Sequence, residues 1–189
     1  MPAAEYMIRK KILTLFGAKF HIYNQEGGLI GFCQQKAFKL KEDIRIFTDE
    51  SMQEQRLGIN ARSVFDIAAA YDVTDSKTGQ RIGVLKRAGL KSIFRDEWTV
   101  FDEREIEVGK IMEENAWLAF VRRMHEMAAA LIPQAYHFKD SAGREFAEMR
   151  THMNPFVHKM TVAVHDACPV HPLLVLAGGI LIVAIEGRQ

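Results

Sequence analysis

Cysteine is scarce in this chain, and neither sign of charge is in excess. The two cysteines among 189 residues, Cys33 and Cys168, are too few and too far apart for a disulfide framework, so we expect free thiols in a reducing compartment. Lysine plus arginine number 25 and aspartate plus glutamate 24. This balance excludes a globally basic nucleic-acid binder and an acidic solvating tail, because both need a sustained excess of one sign.

Long apolar runs are also rare. The apolar stretch behind Arg9-Lys10-Lys11 stops at Lys19 without a small-residue cleavage pattern, so we expect no secretory signal and a cytoplasmic location. Residues 173–185 read LLVLAGGILIVAI and carry no polar side chain. A helix of this length spans roughly 20 Å, less than the roughly 30 Å hydrocarbon core of a bilayer. Burial inside the protein is therefore favoured, and a membrane span is the alternative.

Catalytic motifs are missing from the sequence. There is no glycine-rich phosphate loop before a helix, no G-x-S-x-G elbow and no metalloprotease helix motif. Four histidines fall within twenty residues, but their spacings of six, seven and six match no zinc signature. These histidines are His152, His158, His165 and His171. We predict a protein that is not an enzyme and that uses no metal or other cofactor.

One unit recurs along the chain: a short run of alternating apolar residues, a polar or charged turn, and a second short run. Alternation with a period of two is typical of half-buried strands, and polar joints are typical of hairpin turns. Six such units start 24, 27, 27, 38 and 24 residues apart, which indicates a repeated β-hairpin. They start at Phe20, Ile44, Tyr71, Trp98, Tyr136 and Met160.

The longest of these intervals contains a second kind of pattern. From Glu113 to Ile132 the residues are good helix formers with apolar positions three and four apart, and Pro133 follows. We predict that residues 113–132 form one amphipathic helix, inserted between the fourth and fifth hairpins and packed outside the sheet.

Six hairpins supply about twelve strands, and a sheet of this size normally closes or splits. A twelve-stranded barrel leaves a lumen that a helix about 10 Å across can occupy. The apolar segment 173–185 suits this position, because Gly178 and Gly179 let strand side chains approach its axis. We predict one mainly β domain over residues 1–189: a closed antiparallel barrel of six hairpins, from Phe20 to Val164, around a buried C-terminal helix.

Five features of the sequence match those of a known protein superfamily. They are the segments Met7 to Leu13 and Phe20 to Gly31, Tyr71 to Val73 with Gly79 and Gly83, Trp98 to Asp102 with Gly109, and the closing apolar helix. On these features the chain resembles the tubby C-terminal-like superfamily, in particular its LURP-one-related and phospholipid scramblase-like branch. The resemblance covers nearly the whole chain. It implies a twelve-stranded barrel around a C-terminal helix, and phosphoinositide binding or disputed lipid transbilayer movement.

The loop before the closing helix bears on the second of these activities. In scramblases, the resemblance implies, this loop binds calcium and is rich in Asp and Asn, whereas residues 165–172 here contain only one carboxylate, that of Asp166. Calcium prefers six to eight oxygen ligands. The sequence therefore argues against calcium-triggered scrambling.

The segment 84–95 contains four cations among aliphatic and aromatic neighbours. Lysine and arginine on adjacent strands can bind phosphate, and arginine can do so through two parallel hydrogen bonds. A strand face that is simply exposed to solvent has the same composition. The predicted headgroup-binding residues are Lys86, Arg87, Lys91 and Arg95.

The predicted function is that of a monomeric, non-enzymatic module that binds lipid or phosphoinositide headgroups. It would act peripherally at anionic membranes and bind no nucleic acid. Two alternatives stay open: a membrane-anchored, scramblase-like protein, and a small-ligand-binding barrel.

Overall fold

The computed structural model describes residues 2–11, 18–35, 43–63, 69–88, 97–114, 133–152 and 157–185. Twelve strands and one α-helix lie within these ranges. The strands are β1 Ala4–Lys11, β2 Ala18–Asn24, β3 Leu29–Gln35, β4 Asp43–Phe47, β5 Gln55–Ala61, β6 Ala70–Asp75, β7 Gln80–Arg87, β8 Glu97–Phe101, β9 Glu107–Glu113, β10 Ala135–Lys139, β11 Glu145–His152 and β12 Val157–Val164. The helix, α1, is Pro172–Ile185.

The strands form one closed antiparallel barrel in which each strand pairs with its neighbours along the chain and β1 pairs with β12. This confirms the predicted fold class. The closing pair runs in unbroken register from Ala4 opposite Val164 to Lys11 opposite Val157.

The predicted limits of the barrel, Phe20 to Val164, are wrong at the N-terminal side. The sixth repeat contributes a single strand, β12, and the twelfth strand is β1, which precedes the first repeat. Within β1 the inward position 10 carries a lysine, and this departs from the apolar alternation that marks the other strands.

Alternation along each strand separates the lumen from the outer surface. Ile8 lies opposite both Ile22 and Met160, and all three are fully buried. Their sequence neighbours point outward. At one end of the barrel, aspartate side chains stabilise short turns between strands. In one of these turns, Asp102 Oδ1 accepts hydrogen bonds from the main-chain nitrogens of Arg104 and Ile106, at 2.9 and 2.8 Å.

Helix α1 occupies the lumen, and its residues 174–184 are all buried. The predicted helix 173–185 is confirmed, with Pro172 added as its first residue. A Cβ atom on Gly178 would lie 3.0 Å from Phe138 Cζ, and one on Gly179 would lie 2.9 Å from Val162 Cγ2. The two glycines therefore let strand side chains approach the helix axis closely, as predicted.

The predicted start of the inserted helix at Glu113 is wrong. Glu113 is the last residue of β9, where it lies opposite Tyr136 of β10 and is 2% exposed. The strand ladder continues to this residue, since the main-chain nitrogen of Glu114 donates to Ala135 O at 2.9 Å. The rest of the predicted helix, 115–132, lies outside the described residues.

Candidate functional site

The structure places two of the four predicted headgroup residues, Lys86 and Arg87, at the end of β7. Consecutive strand residues point to opposite faces, and these two do. Lys86 is exposed, whereas Arg87 is half-buried opposite Trp98, on the lumenal side. Burial raises the pKa of the lumenal Tyr71, and the charge of Arg87 lowers it in part. Lys86 and Arg87 thus do not converge on one surface, and Lys91 and Arg95 lie outside the described residues.

The outer face around Lys86 carries compensating charge. Register places Lys86 opposite Thr99, Thr99 opposite Lys110, and Lys110 opposite Lys139. Lys110 Nζ lies 3.0 Å from Glu97 Oε1, and the hydrogen bond to Glu97 raises the pKa of Lys110. The lysine in the middle of this face is therefore neutralised by a carboxylate.

A second set of basic residues lies where the barrel closes. On the outer face of four adjacent strands, register aligns His152 of β11 with Lys159 of β12, Lys159 with Arg9 of β1, and Arg9 with His21 of β2. We call these four residues the basic row. Sequence reasoning missed the row because Arg9 and Lys159 come together only through the pairing of the first strand with the last.

The two central residues of the basic row, Arg9 and Lys159, have like charge and are cross-strand partners in register. Cross-strand pairs of like charge are destabilising. Among the residues that the structure describes, no carboxylate forms an ion pair with Arg9 or with Lys159. An anionic partner outside the fold would offset the repulsion between these two side chains.

Neighbouring side chains fix the orientation of Arg9. Its guanidinium carbon lies 4.7 Å from the centroid of the Tyr23 ring, and its Nε donates to Met7 Sδ at 3.3 Å. No described residue accepts a hydrogen bond from its two terminal nitrogens. The two histidines at the ends of the row form hydrogen bonds with residues outside it. His152 Nε2 lies 2.6 Å from Thr161 Oγ1, and His21 Nε2 lies 2.9 Å from Glu50 Oε1.

Lys10, although it belongs to the basic opening of the chain, points into the lumen. It is 7% exposed, and its Nζ donates to Val183 O at 3.0 Å. His158 lies opposite Lys10 on β12. Burial, together with the charge of Lys10, lowers the pKa of His158 to about 4. His158 is therefore neutral at neutral pH, and its Nδ1 is buried without a hydrogen-bond partner in the described part of the chain.

The four clustered histidines lie in different surroundings. His152 and His158 point to opposite sides of the barrel wall. His165 Nδ1 lies 3.3 Å from Glu145 O, and His171 Nδ1 accepts from the main-chain nitrogen of Leu173 at 3.2 Å. In the described ranges, no three His, Cys, Asp or Glu side chains are placed to hold a metal ion. None of the helices in these ranges has the length and apolar character needed to span a bilayer.

A closed twelve-stranded antiparallel barrel around a C-terminal helix is thus the class of structure that the chain adopts. No family model matches the sequence, and no curated protein matches it. A solved structure with a similar fold is the X-ray structure of the protein AT5G01750 from Arabidopsis thaliana. It is 13% identical, with a TM-score of 0.52, and the match covers 97% of this chain and 93% of that chain. At this identity the likeness shows the fold alone.

Proposed function

We propose that the protein is a non-enzymatic module that binds anionic phospholipid headgroups at the membrane periphery through the basic row, as a member of the tubby C-terminal-like superfamily, LURP-one-related and scramblase-like branch. The observation that carries the proposal is the outward pair of Arg9 and Lys159, opposed across the barrel closure without a carboxylate among the described residues. The chain as a whole is nearly neutral, so attraction to an anionic surface depends on this local excess.

The energetics favour a reversible, salt-sensitive attachment. An exposed lysine or arginine near an anionic bilayer contributes about 1 kcal/mol, and this contribution falls off within a Debye length. Tyr23, stacked on Arg9, adds an amphipathic ring of the kind found at membrane interfaces. The pair of cations with this ring supports peripheral binding.

The position of α1 supports a peripheral mode over an anchored one. Residues 174–184 are buried inside the barrel, and a helix enclosed by strands cannot contact lipid while the barrel is closed. We therefore expect salt to release the protein from membranes. A protein anchored by a membrane-spanning helix would be released only by detergent.

Sedimentation with phosphatidylcholine vesicles, with and without phosphatidylserine, tests the proposal at low and high salt, about 0.05 and 0.5 M. The test variant is Arg9→Glu with Lys159→Glu, and the matched control is Lys77→Glu with Arg104→Glu, two exposed residues in turns. We expect the test variant to lose more than about tenfold in affinity for the anionic vesicles, since two charges are reversed. Equal loss in the control, or unchanged binding in the test variant, would refute the proposal.

The same assay examines the other predicted face. Lys86, on β7, lies five strands from β12 around the barrel and so faces a different direction from the basic row. Reversal of Lys86 and Arg87 to glutamate is expected to weaken vesicle binding less than reversal of Arg9 and Lys159. A larger effect at Lys86 and Arg87 would move the headgroup site to β7.

A further inference from the structure

We infer that Lys10 and His158 form a pH-sensitive switch at the C-terminal end of α1. Proton uptake by His158 displaces Lys10 from Val183 O and releases the last turn of the helix, while the barrel stays closed. The switch lies in the lumen. It is therefore independent of the proposed function, which uses the outer face of the barrel.

The two side chains of the switch lie side by side inside the wall. Lys10 and His158 are cross-strand partners on the lumenal side of β1 and β12, and the charge of Lys10 acts on His158. Lys10 Nζ lies 5.7 Å from the centroid of the Phe20 ring and donates to Val183 O. His158 Nδ1 is buried, and within the described ranges it has no hydrogen-bond partner. An ammonium group, an imidazole and the carbonyl end of a helix are thus held together at one end of the lumen.

The elements packed around His158 carry few ionisable groups. On β1, Lys10 faces it, and β11 presents the uncharged Thr151 to the lumen and His152 to the outer surface. Residues 172–185 of α1 have no ionisable side chain. The other titratable side chains that face the lumen at this end belong to strands farther round the barrel: Tyr71, Arg87, Glu113 and Tyr136. Of the groups that the structure describes, Lys10 is the one whose charge shifts the pKa of His158.

Protonation of His158 would place a second positive charge beside Lys10 in a buried position, which is unfavourable for both groups. Burial and the charge of Lys10 accordingly lower the pKa of His158 to about 4, from an ordinary value of 6.5. A movement that separates the two groups and restores the ordinary pKa takes up a proton. By linkage, such a movement becomes about tenfold more favourable for each unit of pH between about 6.5 and 4.

The end of α1 is the part of this arrangement that can move. β1 and β12 are joined by eight residue pairs in unbroken register, whereas Lys10 holds the helix through one carbonyl oxygen. The close fit at Gly178 and Gly179 fixes the middle of the helix against the wall. Helix ends open more readily than their centres. Displacement of Lys10 therefore frees the last turn, residues 182–185, and leaves the rest of α1 in place.

Native-state hydrogen exchange, followed by NMR on the whole chain and corrected for the intrinsic effect of pH on exchange, tests the switch. Between pH 7 and pH 5 we expect the protection factors of the main-chain amides of residues 183–185 to fall about twentyfold, as the linkage requires. Amides bonded within the β1–β12 ladder should change less than about twofold, because the wall stays closed.

Three variants assign the effect to the two residues. His158→Gln removes the titrating group, so the protection of the last turn should be the same at pH 7 and pH 5. Lys10→Met removes the hydrogen bond that the switch controls, so this protection should already be low at pH 7. His152→Gln alters a histidine on the outer face of the neighbouring strand. It is the matched control and should show the same fall as the wild type.

Unchanged protection in the wild type, or an equal fall in His158→Gln, would overturn the inference. An equal fall throughout the β1–β12 ladder would also overturn it, because the barrel would then open as a whole. The ring signals of His158 in the wild type provide a test that needs no variant. We expect them to titrate well below pH 6.5, and titration at the ordinary value would exclude the switch. None of these measurements involves membranes, so their failure would leave the proposed function standing.

Discussion

Lys10 Nζ donates a 3.0 Å hydrogen bond to the main-chain oxygen of Val183 and so joins the first strand of the barrel to the last turn of the central helix. The last carbonyl groups of a helix have no partner within the helix, and a cation near that end also interacts favourably with the helix dipole. Lys10 therefore fixes the end of α1 from inside the wall, while its neighbour Arg9 faces outward.

Replacement of Lys10 by methionine tests this contact. The variant keeps the aliphatic stem but leaves the Val183 carbonyl without its donor, and we expect a loss of about 1–3 kcal/mol in the free energy of unfolding. Urea denaturation measures the loss. The matched control is Lys159→Met on the outer face, which should change the free energy by less than about 0.5 kcal/mol. An unchanged midpoint in Lys10→Met would contradict a stabilising role for the bond.

His158 makes the stability depend on pH in the acid range. Its pKa is about 4 in the folded protein, because of burial and the charge of Lys10, against 6.5 for an exposed histidine. As pH falls below 6.5, the unfolded chain binds the proton first. The stabilisation that neutral His158 provides is therefore complete above pH 6.5 and is lost progressively as pH falls to about 4, by up to about 3 kcal/mol.

Urea denaturation at several values of pH between 7 and 4 measures this dependence. His158→Gln removes the titrating group, and its curve of stability against pH should be flatter than that of the wild type in this interval. His152→Gln, which alters an exposed histidine on the outer face, is the control and should keep the wild-type slope. Equal slopes in wild type and His158→Gln would exclude His158 as the cause.

Gly178 tests the fit between helix and wall. A Cβ added at this position would lie 3.0 Å from Phe138 Cζ and 3.1 Å from Ile111 Cδ1. A leucine here must push these side chains aside, which costs about 1–3 kcal/mol in a packed core. Thermal or urea unfolding of Gly178→Leu gives the cost, and Ala163→Leu on the outer face of β12 gives the reference. A variant as stable as the reference would mean that the lumen is loosely packed.

The two thiols should differ in reactivity. Cys33 is fully buried, and burial raises its pKa to about 12, so almost no thiolate is present and no reagent can reach it. Cys168 is partly exposed, and burial raises its pKa as well. We expect an aromatic disulfide reagent to modify one thiol in the native protein and the second only in denaturant. Cys168→Ser should remove the native reaction, and a persistent native reaction in that variant would show that Cys33 is accessible.

The hairpins were predictable because their signals are local. Alternation at Phe20 and Ile22 and the turn chemistry of Asp102 and Asp140 lie within a few residues of the contacts they specify. The lumenal helix was predictable for a related reason: a segment that is apolar on every side must be buried, and the number of strands provides a lumen for it.

The candidate site was harder to predict because its contacts are remote in sequence. β1 pairs with β2 on one side, and on the other side it pairs with β12, the strand most distant from it along the chain. This second pairing places Lys159 opposite Arg9 on the outer face. Lys10 and Arg9 are adjacent and equally basic, yet one caps a helix and the other lies on the surface. Alternation along β1 separates their roles, because Lys10 lies on the same face as the buried Ile8. The pairing of Arg9 with Lys159 depends instead on the register between the first and last strands, which has no local signal.

The pairing of β1 with β12 also imposes an order on assembly. The strand that completes the wall is separated from its partner by nearly the whole chain. We therefore expect α1, which follows that strand, to enter the lumen before or while the wall closes. Such remote contacts make for slow folding, because the loop entropy is lost before the contacts form. A chain cut before Pro172 would leave the lumen empty and its apolar wall open to water. We therefore expect the strands to need the helix as a packing partner in order to form the closed barrel.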